Sequence, residues 1–419
     1  MIILLISLLC ATAKAQRNEI FVSTIASLQV VPGDNWMEPL PVISLSSNNP
    51  GDGDDERSVT IVFDELSHNY HRYTYTVQHC EADWTPSEEL LESDYVDGFA
   101  SGNTIDDYQQ SVNTNTLYTH YKLILPNDRC RLKLSGNYTV TVYDEDNDNK
   151  PVLKACFMVT EQSMKSAMTL TTNTDVDINN RYQQLSINLH FGTNRVTSPS
   201  TQIKTVVLQN GRWDNCVNNP QPQYIKNDGM AWDHNRDLIF EGGNEYHKFE
   251  TLDPTHTTMG LQRVGWDGKQ YHAWIFTDEP RPHYLYDEDA DGAFCIRNSD
   301  NENNDTECEY IQTHFTLKVP RQKGKIYLNG AWTNGQFDAR VEMTWNENDG
   351  LYEAVVPLKQ GYYNYQYLVM NQDGTLSTMP ADGSFYQTEN SYQFLVYFRG
   401  QGERTDRLVN YLNLSSLLP

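Results

Sequence analysis

Alternation of apolar and polar residues with a period of two is the dominant pattern along this chain. In the run RYTYTVQHC, residues 72–80, an extended backbone places Tyr73, Tyr75, Val77 and His79 on one side and the intervening residues on the other. Five more runs repeat the pattern: YTHYKLILP, GNYTVTVYD, LSINLHF, KTVVLQNGRW and YYNYQYLVM. This period is typical of β-strands with one buried face.

Turn-forming pairs separate these runs, as Asn-Gly at residues 210–211 and as Asp-Gly at 291–292 and 349–350. Long helical periodicity is missing from the sequence, and residues 90–95 and 408–417 predict at most short helices. Short strands between regular turn signals are typical of sandwiches. We therefore predict an all-β fold of three consecutive β-sandwich domains with few short helices.

Two joints divide the sequence into these domains. Residues 157–170 are typical of a last strand, a polar joint and a new first strand, and residues 313–330 repeat this arrangement. The turn-rich segment Ser46–Ser58 predicts a surface loop between two strands of the first domain. The predicted order is a signal peptide at 1–15, an N-terminal sandwich at 16–161, a middle sandwich at 162–319, a C-terminal domain at 320–400 and a polar tail at 401–419.

The first residues predict export. The apolar run from Ile2 to Leu9 precedes Ala13-Lys14-Ala15, an A-x-A pattern that predicts cleavage after Ala15. The alternative is a lipoprotein anchored at Cys10, although Leu9 occupies the position where such sites need a small residue. Elsewhere the sequence contains no apolar run near the roughly 18 residues of a membrane helix. We predict an exported, soluble protein.

Composition excludes several function classes. The chain has 56 acidic and 31 basic residues, and the formal net charge of −25 argues against phosphate-backbone binding and against anionic membrane surfaces. An aromatic content of 11% is too high for a disordered acidic chain. Nucleic acid and direct membrane insertion are therefore not expected as partners.

Cysteine usage is compatible with disulfides. An even number in an oxidising compartment permits disulfides in any of 15 pairings, and Cys295 with Cys308 is the most local candidate pair. No C-x-x-C motif supports a thiol-redox or zinc-ribbon site. Cleavage of the signal would leave six cysteines: Cys80, Cys130, Cys156, Cys216, Cys295 and Cys308.

The segment HCEADWTPSEELLESDYVDGF, residues 79–99, combines a His-Cys pair with seven carboxylates. A Cys/His nucleophile pair needs both side chains within hydrogen-bond reach, whereas neighbours on a strand point to opposite faces. The acids have no fixed ligand spacing, and Ser87 suits the N-cap of a short helix. We interpret the segment as a strand end followed by an acidic surface loop.

The run DEDADGAFCIRN is the metal candidate. Asp287, Asp289, Asp291 and Gly292 match the first half of a calcium-binding EF-hand loop, but Asn298 stands where the bidentate Glu belongs. The alternative is a β-hairpin in which Gly292 has a positive φ. Calcium at Asp287, Asp289 and Asp291 is therefore the one cofactor hypothesis, and otherwise no cofactor is expected.

No motif supports catalysis, since H-E-x-x-H, G-x-S-x-G, Walker A and G-x-G-x-x-G are all missing from the sequence. We predict that the protein is not an enzyme. Tyr363, Tyr365 and Tyr367 share one strand face, with Trp332 and Trp345 upstream. Such aromatics either stack on sugars or protein partners or form a sandwich core.

Five segments, in order along the chain, carry a family resemblance. They resemble the plug protein of the type IX secretion system of Bacteroidota. The resemblance implies a periplasmic, all-β, non-enzymatic protein that closes the periplasmic mouth of the large outer-membrane translocon barrel when no cargo occupies it. The segments are His79–Phe99, VVLQNGRWDN at 206–215, GGNEYHKFE at 242–250, LKQGYYNYQYLV at 358–369 and TENSYQFLVYFRGQGERTDRLV at 388–409.

The last domain, from IYLNGAWTNGQF onward, also resembles early-set, immunoglobulin-like carbohydrate-binding modules. Such modules bind sugars with exposed tryptophans, and Trp332 and Trp345 lie in the corresponding part of this domain. Fold likeness alone does not establish sugar binding. The alternative function is therefore a secreted glycan-binding protein that uses aromatic residues of this domain.

Loops at the ends of sandwiches are natural contact sites. We predict that aromatic residues in turns form the surface that binds the barrel. The arginine after the Asn210-Gly211 turn is expected to belong to the same surface. The predicted partner-binding residues are Trp84, Tyr95, Phe99, Arg212 and Trp213.

Overall fold

The computed structural model describes residues 16–45 and 57–415. The predicted signal peptide and most of the Ser46–Ser58 loop lie outside the described residues. About 47% of the chain is strand and 6% helix, which confirms the all-β class. Within the described ranges, no helix is both long enough and apolar enough to span a bilayer.

The first unit is a sandwich around one core. Its six-stranded sheet has the order β1-β12-β11-β5-β7 with β3 parallel to β12, and it faces the sheet β2-β4-β9-β8, while β6 and β10 form a ribbon. Phe63 and Tyr73 join the two sheets with ring centroids 5.5 Å apart. The elements are β1 Glu19–Ile20, β2 Ile25–Pro32, β3 Val42–Ser44, β4 Val59–Glu65, β5 Tyr73–Cys80, α1 Glu92–Tyr95, β6 Val96–Gly98, β7 Asn103–Thr104, β8 Asp107–Gln110, β9 Thr119–Leu125, β10 Cys130–Leu132, β11 Gly136–Asp144 and β12 Lys150–Thr160.

The second unit begins with a five-stranded sheet of order β13-β14-β18-β17, in which β19 also pairs with β14. Its facing sheet contains β15 and β16. The elements are β13 Lys165–Thr171, β14 Tyr182–His190, α2 Pro199–Gln202, β15 Ile203–Gln209, β16 Val217–Asn218, β17 Tyr224–Lys226, β18 Gly229–Trp232 and β19 Ile239–Glu241.

The third unit is a ten-stranded sheet that curls around its own core. Phe249 on the first strand of this sheet contacts Phe315, five strands away, with ring centroids 5.7 Å apart. The strand order is β20-β28-β25-β26-β27-β24-β22-β21, and β23 and β29 also pair with β28. The elements are β20 His247–Thr251, β21 Leu261–Trp266, β22 Tyr271–Ile275, β23 Phe294–Ile296, α3 Asn304–Glu307, β24 Tyr310–Leu317, β25 Lys325–Asn329, β26 Glu342–Asn346, β27 Leu351–Lys359, β28 Gly361–Met370 and β29 Leu376–Thr378.

The chain then returns to the second unit through β30 (Ser391–Phe398) and β31 (Arg407–Ser415), which complete the sheet β16-β15-β30-β31. The sheets therefore do not follow the predicted division at residues 319 and 320, because the third unit is inserted into the second. The predicted polar tail at 401–419 contains the strand β31, where Leu408 and Val409 are buried, and not a short helix. Local alternation reveals a strand but not a partner nearly two hundred residues away.

A fourth apolar cluster joins the first and second units. The outer face of β12 carries Cys156 and Met158, which pack against Leu395 and Leu408 of the second unit. The large sheet of the first unit is therefore covered on both faces in this region. This arrangement explains why Cys80 is buried although it points away from the core of its own sandwich.

All six cysteines among the described residues are free thiols, so the local pair Cys295 and Cys308 forms no disulfide. Burial raises the pKa of Cys80 and of Cys130 to about 11 and the pKa of Cys156 and of Cys308 to about 12. A thiolate is the reactive form of cysteine, so these thiols are unreactive near neutral pH.

Candidate functional site

Two of the predicted partner-binding residues instead contact each other. Trp84, in the loop after β5, and Trp213, after the Asn210-Gly211 turn, meet edge to face with ring centroids 5.8 Å apart. Trp84 is only 7% exposed, and both residues belong to the cluster that joins the first and second units. These tryptophans therefore hold two units of the same chain together and do not present a contact surface.

Arg212 and Tyr95 are also occupied within the chain. The Arg212 guanidinium binds the Asp214 carboxylate through two hydrogen bonds of 3.1 and 2.5 Å, and its side chain is 10% exposed. Tyr95 lies in the core of the first unit, where its hydroxyl donates to the Val77 carbonyl. Neither side chain is available to a partner in this conformation.

Phe99 is the one predicted contact residue that faces solvent. It follows β6 and is 70% exposed. Leu91, which immediately precedes α1, is also 70% exposed. The segment 91–99 thus presents two large apolar side chains at the surface of the first unit, and we call it the apolar loop.

A buried polar network accompanies the tryptophan pair. The Asp406 carboxylate accepts hydrogen bonds from the Ala82 amide at 3.1 Å, from Lys204 at 2.7 Å and from Arg399 at 3.0 Å. Arg399 also pairs with Glu81. Burial opposes ionisation of Asp406, but these hydrogen bonds and charges outweigh it and lower the pKa of Asp406. This network fixes the end of β5 against the β30–β31 turn.

His79 is structural, in agreement with the sequence interpretation. Its Nδ1 lies 2.9 Å from the Ser87 hydroxyl and its Nε2 lies 3.1 Å from the Ser135 carbonyl oxygen. The Ser87 hydroxyl in turn contacts Thr405 of the second unit. Burial lowers the pKa of His79, so the ring is neutral near pH 7.

A second buried network joins the first unit to the third. Asp64 and His120 are cross-strand neighbours in the first unit, and Tyr310 and Lys359 are cross-strand neighbours in the third. The Asp64 carboxylate receives hydrogen bonds from His120 at 2.7 Å, from Tyr310 at 2.7 Å and from Lys359 at 2.8 Å. Lys359 also lies over the Tyr118 ring, 4.1 Å from its centroid. We call these groups the Asp64 network.

A third network lies where the third unit leaves and re-enters the second. His247 contacts Asp278 at 2.9 Å and Asp382 at 3.2 Å, and Arg281 also binds Asp382. Burial alone would lower the pKa of His247, but the charges of Asp278 and Asp382 outweigh it and raise that pKa to about 9. His247 is therefore a buried imidazolium at neutral pH.

This charge predicts a pH-dependent stability. Because the folded-state pKa lies above the ordinary value of 6.5, the contribution of His247 is complete below pH 6.5 and is lost as the pH rises through about 9. We expect the wild-type free energy of unfolding to fall by on the order of 2–3 kcal/mol more than that of H247Q over this interval. Urea unfolding of both proteins from pH 6 to 9.5 measures the difference, and parallel curves would contradict it.

The three units enclose a cleft of about 800 Å³. Its walls come from the segments 16–19 and 28–41 of the first unit, 210–214 of the second, and 290–294 and 329–337 of the third. The cleft therefore marks the junction of the three units.

The predicted calcium residues border this junction but do not converge on a common point. Asp287 pairs with Lys248 at 2.5 Å, and Asp289 accepts the backbone amides of Tyr246 and Asp291. Burial raises the pKa of Asp289 to about 8, with a contribution from the Asp291 charge, and burial raises the pKa of Asp291 to about 6. Gly292 has a φ of 89°, which agrees with the positive φ of the alternative, but this turn does not belong to a β-hairpin, because β22 ends at Ile275 and β23 pairs with β28.

The aromatic residues considered for sugar stacking belong to the core of the third unit. Tyr363, Tyr365 and Tyr367 are each 1% exposed. The Trp332 indole donates to the Asn364 carbonyl at 2.9 Å, and the ring of Trp345 packs against Tyr352. The core alternative is thus the correct one for the tyrosines, and both tryptophans are half-buried against this core.

Sequence reasoning missed the three polar networks. Asp64 and Lys359 are separated by 295 positions, and Glu81 and Arg399 by 318. The available signal was the presence of charged residues in otherwise apolar strands, such as Asp64 at the end of β4. That signal identifies a buried charge but not its partner.

Comparisons with known proteins place the chain in a family. Residues 25–161 match the model of the type 9 secretion system plug protein first domain. A crystal structure of a hypothetical protein from Parabacteroides merdae is 37% identical, with a TM-score of 0.90 over 96% of this chain and 99% of that one. No curated protein matches the chain. The chain belongs to the type 9 secretion system plug protein family.

Proposed function

We propose that this protein is a periplasmic plug that occludes the periplasmic mouth of the type IX outer-membrane translocon barrel in the absence of cargo. The observation that carries the proposal is the match of residues 25–161 to the first domain of the plug family. That family suggests a structural, non-enzymatic role and a periplasmic or outer-membrane-associated location.

The way the units are joined supports this role. A body that blocks a protein-wide pore must keep its shape under load, and buried ionic networks join the first unit to each of the other two. The Asp406 network reaches Ala82 and Glu81 of the first unit, and the Asp64 network connects the first unit to Lys359 of the third. A shift between units that separated such a buried pair would leave an uncompensated charge, at a cost of about 3–5 kcal/mol.

The surface suits reversible closure. A plug must leave when cargo arrives, so its contact with the barrel is expected to be moderate in area and partly polar. Cargo would favour the open state only by binding it more tightly than the plugged state. The formal net charge of −25 keeps the exterior polar and opposes self-association.

The apolar loop is the proposed contact with the barrel. Phe99 and Leu91 are both 70% exposed within one short segment, and neighbouring exposed apolar side chains are a feature of surfaces that a partner covers. Aromatic residues that become buried at the centre of an interface dominate binding energy. Phe99 therefore replaces the five-residue set that the sequence predicted.

A tagged pull-down from detergent-solubilised envelopes of the native host tests this contact. We expect the wild type to recover one very large outer-membrane barrel protein, and F99A to recover at least about tenfold less of it. The matched control is I178A, since Ile178 is also 70% exposed but lies in the second unit. Equal recovery with F99A and I178A would remove the apolar loop from the interface, and recovery of no barrel with the wild type would contradict the plug proposal.

The glycan-binding alternative has less support. It requires tryptophan faces that are open to a sugar ring, whereas Trp332 stacks on Phe315 with ring centroids 6.1 Å apart and Trp345 packs on Tyr352 at 4.9 Å. Immobilised polysaccharide would retain the protein under that alternative, and W332A or W345A would abolish the retention.

A further inference from the structure

Three chelating side chains outside the apolar loop meet at one end of the first unit. His71 lies just before β5, Asp144 ends β11, and Asp146 lies in the 3-10 turn Glu145–Asn147 that leads to β12. One ligand atom from each residue lies within 4.8 Å of the other two. In the described parts of the chain, this is the one group of three or more such side chains.

The backbone of His71 is anchored on both sides, and its ring contacts one hydroxyl group. Its backbone amide and carbonyl both bind the buried Tyr121 hydroxyl, at 2.8 and 3.0 Å. Its Nε2 faces the Ser67 hydroxyl at 3.5 Å, and that hydroxyl donates to the Glu65 carboxylate. Because the Ser67 hydroxyl proton is committed to Glu65, its oxygen is available to accept Nε2–H. This series of contacts from Glu65 through Ser67 to His71 favours the tautomer that carries its proton on Nε2 and leaves a lone pair on Nδ1.

That lone pair has no hydrogen-bond partner. The Nδ1 atom of His71 is shielded from solvent and makes no hydrogen bond. It faces Oδ2 of Asp144 at 3.5 Å without making a hydrogen bond to it. Two lone pairs that face each other across this gap repel unless a cation lies between them.

The two carboxylates are also positioned by the backbone. Oδ1 of Asp144 accepts the Asp146 amide at 3.1 Å, and Oδ2 of Asp146 accepts the Arg72 amide at 2.9 Å. Each carboxylate therefore keeps one oxygen for another partner.

We propose that His71, Asp144 and Asp146 bind a divalent transition-metal ion, with zinc as the best fit. Two ligands about 2.0–2.2 Å from a tetrahedral zinc lie roughly 3.3–3.5 Å apart, which agrees with the His71–Asp144 separation. Imidazole favours zinc over calcium or magnesium, and a water molecule would complete the tetrahedron. The ion would join the segment before β5 to the β11–β12 hairpin.

Zinc titration of the chelator-treated full chain at pH 7.5 tests the site, with bound metal measured after gel filtration and stability followed by thermal unfolding. We expect the wild type to retain one zinc and to melt at a higher temperature with zinc than with chelator. H71Q and D146N should bind zinc at least about tenfold more weakly. D146N keeps an acceptor for the Arg72 amide, and Asp146 is exposed, so this variant should fold normally.

Two further histidines serve as controls. His256 contacts Asp253 at 2.8 Å on an exposed loop, and His272 contacts both His314 and Asp267. H256Q and H272Q should bind zinc as the wild type does. The proposal is overturned if the wild type retains no zinc, which would identify His71 and Asp144 as a simple ion pair, or if H272Q and not H71Q loses the metal.

Discussion

Replacement of Lys359 by methionine is expected to lower the free energy of unfolding by about 3–5 kcal/mol, which is the usual cost of removing one partner from a buried ion pair. Asp64 is completely buried and Lys359 is 2% exposed, so water cannot replace the lost ammonium group. Methionine retains most of the side-chain length, which limits any cavity contribution. Urea unfolding at pH 7 measures the change.

The matched control is K318M. Lys318 pairs with Glu279 at 2.9 Å, but both side chains are more than 60% exposed, and such pairs contribute about 0–1 kcal/mol. Burial opposes ionisation of Asp64, while the Lys359 charge and the His120 hydrogen bond outweigh it and lower the pKa of Asp64. Its contribution is therefore present above its ordinary pKa of 3.8 and lost as the pH falls through the lowered value. Equal effects of K359M and K318M would contradict a joining role for the Asp64 network.

Trp84→Ala is expected to destabilise the protein by about 3–5 kcal/mol, the range for large-to-small changes at buried aromatic residues. The substitution removes the partner of Trp213 and leaves a cavity beside Leu40 and Met158 in the cluster between the first and second units. Thermal and urea unfolding measure the loss.

F99A is the control for this substitution, because Phe99 is the exposed member of the same predicted set. Truncation of an exposed side chain changes stability by about 0.5 kcal/mol or less. The two variants thus separate stability from binding: W84A should unfold more easily, and F99A should fold normally but recover less barrel protein. A stable W84A with impaired barrel binding would restore the surface role that the sequence assigned to Trp84.

The sequence predicted local structure well because period-two alternation reports directly on which face of a strand is buried. Tyr73, Tyr75, Val77 and His79 were placed on one face, and all four are buried in β5. The opposite placement of His79 and Cys80 also agrees with the structure, since they contact different groups. These features depend only on neighbouring residues.

Long-range pairing could not be predicted in the same way. A strand pattern does not name its partner, so the pairing of β15 with β30 and the insertion of the third unit between them were not foreseen. Aromatic residues in turns have two possible environments, solvent or a second unit. Trp84 and Trp213 pack against a second unit, because each unit leaves an apolar face that the other covers. Among the five predicted contact residues, only Phe99 faces solvent.

Occlusion of the barrel is tested most directly by conductance. The purified translocon barrel, stripped of bound partners and inserted in a planar bilayer, should pass a large ionic current. Addition of this protein to the periplasmic side should close the pore to a small residual current, and F99A should require at least about tenfold more protein for the same closure. A current that is unchanged by saturating wild-type protein on that side would contradict the plug proposal.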